Sequence, residues 1–248
     1  MIFGVRKLER VSDWEEIVSP KNWVPGHSAF ELAHKWHMTS AFPPAVARVL
    51  CTQKPEAFAG IHPEFLIVEM PTFLDTTKAP SWTDIMVHAR NKNGERIIIG
   101  VEGKAKEYFG DPVWKWVRDN HGRDYSPKQS RMNRLHYLSQ VLGYSIPADS
   151  DLRYQLLHRT VATVLEGEKA EAIVDVVLVH SFEDSREDNW NDFKAFLGIL
   201  GIAAPEKNVV VGPAFLGSRL KTPTFFAWIS DEKTANKGIH VTPEARRP

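Results

Sequence analysis

Residues Thr83 to Lys106 read TDIMVHARNKNGERIIIGVEGKAK, two apolar runs separated by Asn93-Gly94. That pair is a strong hairpin signal, and a three-residue loop Lys92-Asn93-Gly94 puts Gly94 at the left-handed position such loops need. The loop fixes the register. Ile85 then faces Val101, Val87 faces Ile99 and Ala89 faces Ile97, so one side of the ribbon is wholly apolar, as a core-facing sheet requires. Asp84 falls opposite Glu102 on the other side. Lys104, two residues further on, shares that side because side chains alternate along a strand. A two-residue loop would set Asp84 against Gly103 and put apolar residues opposite polar ones.

Two adjacent carboxylates repel each other, and keeping both ionised at neutral pH requires a cation between them. A hard divalent metal fills that role, because Mg²⁺ takes one or two carboxylates, retained waters and phosphate oxygens. Beside it, Lys104 can orient or deprotonate a water, or neutralise charge on a phosphorane-like transition state. Asp84 and Glu102 as ligands of Mg²⁺ or Mn²⁺, with Lys104 alongside, point to phosphodiester hydrolysis. The competing reading is a solvated strand face with alternating charges, which carries no chemistry.

Asp84 and Glu102-Gly103-Lys104 resemble the PD-(D/E)xK (restriction-endonuclease-like) nuclease superfamily, in which an Asp on one strand and an Asp/Glu-x-Lys on the next bind metal. The chain departs from the pattern at Thr83, where the superfamily often has proline. The stretches VEGKAKEYFG and RYQLLHRTVATVLEGEKAEAIVDVVLVHSF resemble blocks of an uncharacterised bacterial family within it, and the resemblance spans about residues 23–201. It implies an αβββαβ core, a metal-dependent endonuclease, and DNA rather than RNA as substrate. It also implies a polar helper from a neighbouring helix, Gln155 or His158, and a glutamate from the helix before the sheet, Glu31. Restriction-type nucleases often cut as dimers, so a homodimer is compatible with it.

The 248 residues are 43% apolar and 25% charged, which is ordinary for a globular chain. One domain over residues 1–230 is expected, with its core at about 28–201 and a polar, flexible tail over 231–248. The expected class is α/β, a mixed central sheet flanked by helices. Formal net charge is zero, so nucleic-acid binding requires a local basic patch. A single cysteine, Cys51, excludes an internal disulfide framework and a cysteine-based zinc site. No signal-peptide core and no run of ~20 apolar residues is visible, which leads to the expectation of a cytoplasmic protein without membrane contact.

Other elements follow from local signals. Ser28 is expected to cap a helix to about Met38, and Pro44 to open another to about Thr52. On the first, Glu31, His34 and His37 share a face, a spacing that is weak evidence for zinc and more often a set of satisfied histidines. Phe65 to Met70 is expected to be a strand stopped by Pro71, with Glu69 either a third ligand or an outward-facing carboxylate. Ser126-Pro127 is expected to start a helix ended by Gly143, and Asp149 or Ser150 the next, whose polar face carries Arg153, Gln155, His158 and Arg159. Ile173 to Phe182 reads as a buried strand, then a helix closed by Gly201, then strands near Val209–Val211 and Phe225–Ile229.

The segment after Lys104 interleaves cations with aromatics. Lys106, Lys115, Arg118, Arg123, Lys128, Arg131 and Arg134 are interleaved with Tyr108, Trp114, Trp116 and Tyr125, so bases can stack while cations meet phosphates. Asp111, Asp119 and Asp124 dilute that charge. The alternative function is a non-catalytic module on the same fold that binds nucleic acid or protein through this segment.

Overall fold

The computed structural model describes residues 1–3, 7–18, 20–37, 41–52, 55–75, 79–118, 126–182, 187–203, 205–217 and 221–234. The hairpin stands as its sequence dictates. Strands β3 (Ser81–Arg90) and β4 (Arg96–Lys104) pair antiparallel with Ile85 on Val101, Val87 on Ile99 and Ala89 on Ile97. Asn91 closes the loop twice: its backbone N–H donates to the Glu95 carbonyl, and its Oδ1 accepts from Asn93 and Glu95 N–H. Gly94 takes φ +78°, the left-handed value a three-residue loop demands.

Around this hairpin lies one seven-stranded mixed sheet. β1 (Ile2–Phe3) pairs parallel with β2 (His62–Thr72), and β2 pairs antiparallel with β3. β4 pairs parallel with β5 (Val174–Phe182), β5 parallel with β7 (Thr222–Asp231), and β7 antiparallel with β6 (Val210–Leu216). Every residue of β5 is buried, which is why its sequence VDVVLVHSF does not alternate.

Helices cover both faces, so the fold is α/β with a mixed sheet between helical layers. α1 (Ser28–Trp36) and α2 (Pro44–Thr52) enclose one core against Ile85, Val87, Ile97, Ile99, Val101, Val176 and Leu178. Leu8 and Trp14 of the N-terminal segment fill it further. The opposite core is closed by α4 (Gln129–Leu142), α5 (Tyr154–Ala170) and α6 (Glu187–Ile199), with a single turn, α3 (Val113–Trp116), at its edge. Two helices, the strands β2, β3 and β4, then helices and β5 reproduce the expected αβββαβ order. Among the described residues no helix is long and apolar enough to cross a membrane.

Several boundaries differ from expectation. Pro71 does not stop β2, which continues to Thr72 with Pro71 opposite Trp82. β1 covers only Leu66 and Ile67, so this end of β2 is an edge, where the missing proline N–H is not needed. Ser28 is the first helical residue rather than the cap, and its backbone N–H and Oγ both donate to Glu107 Oε1. The expected end of that helix at Met38 lies outside the described residues. α4 starts at Gln129, not Ser126, because Pro127 bridges to Arg118; α5 starts at Tyr154 rather than Asp149 or Ser150. Asp231, expected to begin a loose tail, closes β7 and meets Lys35 Nζ at 3.2 Å and His180 Nε2 at 3.2 Å. Residues 235–248 of that expected tail lie outside the described set.

Close approach of α5 to the sheet depends on Gly100, where an added Cβ would stand 1.9 Å from Thr163 Oγ1. Gly100→Ala is therefore expected to lose about 1–3 kcal/mol by overpacking, with Thr163→Ala in the same chain restoring part of it. Chemical denaturation of the single and double variants checks this.

Candidate active site

Register alone builds the site. Glu69 lies between the pairs Val68–Ile85 and Met70–Thr83, hence across from Asp84, and Asp84 lies one step beyond Ile85–Val101, hence across from Glu102. Three carboxylates thus form a row over three adjacent strands, on the face that α5 covers. Glu69 holds φ +48°, a left-handed backbone that costs a non-glycine residue about 1–3 kcal/mol and tends to occur at functional sites.

Cations and an amide complete the cluster. Lys104 Nζ donates to Glu102 Oε1 at 2.6 Å and to Gln155 Oε1 at 3.2 Å, and it lies 4.8 Å from the centre of the Phe109 ring. Gln155 Nε2 donates to the same Glu102 oxygen at 2.7 Å. Arg159, one helical turn beyond Gln155, spans both acids. Its Nε donates to Glu102 Oε2 at 2.5 Å and one amino group reaches Asp84 Oδ1 at 3.4 Å. The Gly103 N–H donates to the other Asp84 oxygen at 2.9 Å. His158 Nδ1 stands 2.7 Å from Ser81 Oγ, which also accepts from Arg159 at 3.2 Å.

The three acids respond differently to burial. Burial would raise Glu102, yet the charges of Lys104 and Arg159 and their hydrogen bonds hold its carboxyl down at about 2. Asp84 is pushed up to about 6 by burial and then by Glu102, with Arg159 and Lys104 opposing. Glu69 is pushed up to about 8 by burial and then by Asp84. Burial and the neighbouring Arg159 hold His158 well below the ordinary imidazole range, so the ring is neutral. At neutral pH the two cations therefore balance Glu102 and Asp84, and Glu69 keeps its proton.

These groups line a cleft of about 1070 Å³. Its other walls include Ser28, Leu32, Trp82, Glu107, Tyr108, Trp116, Arg131, Arg134 and Tyr154. The expected catalytic trio Asp84, Glu102 and Lys104 is brought together, and Glu69, Gln155 and His158 stand with it. Glu31 does not. It is buried away from the cleft, where its two oxygens accept from the Gly26 and Thr234 N–H groups, so it does not join the site as the resemblance implies. His34 and His37 are likewise taken, by the Phe30 carbonyl and by Trp14 Nε1. Among the described residues no group of three or more His, Cys, Asp or Glu is arranged to hold a metal ion.

The basic-aromatic segment divides. Arg131 and Trp116 line the cleft, Trp116 stacked on Tyr154 with ring centres 3.5 Å apart. Lys106, Trp114, Lys115, Arg118 and Lys128 are not among its lining residues. Lys115 pairs with Asp111 at 2.6 Å, and Arg118 donates to the Trp114 carbonyl at 2.5 Å. Arg123, with Asp119, Asp124 and Tyr125, lies outside the described residues.

Sequence reasoning misses Trp82 and names Arg159 only as one of four polar residues on its helix face, without the bridging place it holds. Both had a signal: Arg159 follows Gln155 by four residues and shares its helix face, and Trp82 precedes Asp84 by two and shares its strand face.

Over residues 7–233 the chain matches the family described as a domain of unknown function (DUF6946), and it belongs to that family. The comparison with curated proteins finds no match, and neither does the comparison with solved structures.

The raised carboxyls give a pH dependence. Glu69 rises from an ordinary 4.5 and Asp84 from 3.8, so the folded state binds more protons than the unfolded chain above those values. Their contribution is fully present below about pH 4 and is lost as pH rises through about 6 and about 8. Glu69→Gln is expected to raise the melting temperature relative to the parent at pH 9 and much less at pH 5, by roughly 2–4 °C per kcal/mol of repulsion removed. Thermal melts of both proteins across that range test this.

Proposed function

We propose that the protein is a divalent-metal-dependent phosphodiester hydrolase, a nuclease with a restriction-endonuclease-like core, acting on DNA in preference to RNA. The observation that carries the reading is the carboxylate row Glu69, Asp84 and Glu102 with Lys104 and Gln155 beside it in one cleft. The donor set fits Mg²⁺ or Mn²⁺: hard oxygen ligands, two of them with carboxyls raised by burial and then by their acidic neighbours. Asp84 and Glu102 would hold the ion, with Glu69 next in the row. When bound, the cation supplies charge for a phosphoryl oxygen and makes a water more acidic.

The chain's own groups account for the rest. Lys104 is fixed by Glu102 and Gln155, so its ammonium is presented at one place and can hold the attacking water or a non-bridging phosphate oxygen. Arg159 has the fork geometry that suits a phosphate, and a cation arriving at Asp84 and Glu102 would free it to meet one. In-line displacement forms a bond from water oxygen to phosphorus as the bond to the leaving oxygen breaks, and the water's proton passes to solvent or to the leaving oxygen.

A second reading has its own observation. Arg159 already spans Asp84 and Glu102, the place where the sequence argument put a metal. On that reading the cluster is a structural ion-pair network, and the protein is a non-catalytic nucleic-acid- or protein-binding module.

Incubation of the purified protein with labelled DNA and RNA in Mg²⁺ or Mn²⁺ separates the two. The nuclease reading predicts cleavage abolished by EDTA and reduced at least about 10²-fold in Asp84→Asn and Lys104→Met, with both variants shown by circular dichroism to be folded. Absence of cutting on varied substrates, with binding retained, favours the module.

A further inference from the structure

Trp82 stands two residues from Asp84 on β3, so both project from the same face, and the indole is 50% exposed where it lines the cleft. An exposed indole beside a carboxylate row is not explained by packing. Tyr108, 45% exposed, lines the same cleft from the segment after β4. The reactive groups are recessed: Glu102 and Lys104 keep only 4% and 3% exposure.

Both arginines of the outer wall, Arg131 and Arg134, are engaged within the protein, which leaves Lys21 as the outer wall's remaining cation among the described residues. Arg134 forks onto Asp75 through two 2.9 Å bonds and also reaches the Ala79 carbonyl. Arg131 donates to the carbonyls of Trp116 and Arg118. Duplex binding is dominated by cations that neutralise rows of phosphates and release counterions. Binding of unpaired strands relies more on aromatic faces, because an exposed base has a π surface to stack.

On these grounds, and resting on the hydrolase reading above, we propose that the cleft takes a phosphodiester whose base is unpaired, with that base stacked on Trp82 and the phosphate at Arg159 and Lys104. The substrate class is single-stranded nucleic acid or a short oligonucleotide, not an intact base-paired helix. The volume agrees: about 1070 Å³ lies just above the ~300–1,000 Å³ of small-ligand sites, a space for a few nucleotides. Trp82 sets the substrate class and takes no part in bond breaking.

The test is fluorescence anisotropy with Ca²⁺ in place of Mg²⁺, the probes shown by gel to stay intact, with a fluorescein-labelled oligothymidylate and a blunt duplex of equal length as probes. The single strand is expected to bind the tighter of the two. Trp82→Ala is expected to weaken it roughly five- to hundredfold, the range for one lost base–aromatic stack, while Trp82→Phe retains most of the affinity. Competition by the dinucleotide thymidylyl-thymidine distinguishes a short oligonucleotide, which displaces the probe, from a longer strand, which resists displacement; both fit the proposal. Equal or tighter duplex binding, or a Trp82→Ala variant that is folded by thermal melt and binds like the parent, overturns it. Stacking-dependent binding without cleavage in Mg²⁺ leaves this inference standing and removes the nuclease; cleavage of duplex independent of Trp82 does the reverse.

Discussion

Electrostatic repulsion along one row of the sheet is the constraint to which the rest of the structure answers. Glu69, Asp84 and Glu102 occupy neighbouring positions on three strands, and no fold leaves three such groups ionised side by side without opposing charge. Lys104 comes from the same strand as Glu102, two residues on. Arg159 is supplied by α5, which can approach closely because Gly100 presents no side chain to Thr163. The cations neutralise Glu102 fully, Asp84 in part and Glu69 least, which is the order of their acidities.

That uneven balance connects fold to chemistry. A buried charge left uncompensated is costly. Here the strained backbone of Glu69 keeps a carboxyl in the row at a cost, and the site opens into a cleft rather than being sealed by packing. On the proposal made above, that opening is where a small, hard cation would enter.

The hairpin was legible in the sequence because local and tertiary demands coincide there. Asn93-Gly94 chose the loop, the loop chose the register, and the register set Asp84 against Glu102 before any long-range contact was considered. The sheet order β2-β3-β4 and the buried strand β5 followed from similarly strong apolar runs. Helix starts were less legible. Ser28, Ser126 and Ser150 carry capping chemistry, but tertiary partners decided the outcome: Glu107 takes Ser28, and Pro127 bridges Arg118. Glu31 was misplaced for a related reason, since the groups that bury it, the N–H groups of Gly26 and Thr234, come from a turn and from a segment more than 200 positions away. The same holds for Arg159: helix periodicity puts it beside Gln155, but only the packing of α5 on the hairpin makes it the bridge between the acids.

The most direct test is a crystal grown in Mn²⁺, with anomalous difference maps calculated at the manganese edge. The account predicts a peak coordinated by Asp84 and Glu102, with the Arg159 guanidinium moved off the pair. No peak there, with Arg159 still bridging both carboxylates at high Mn²⁺, would contradict it.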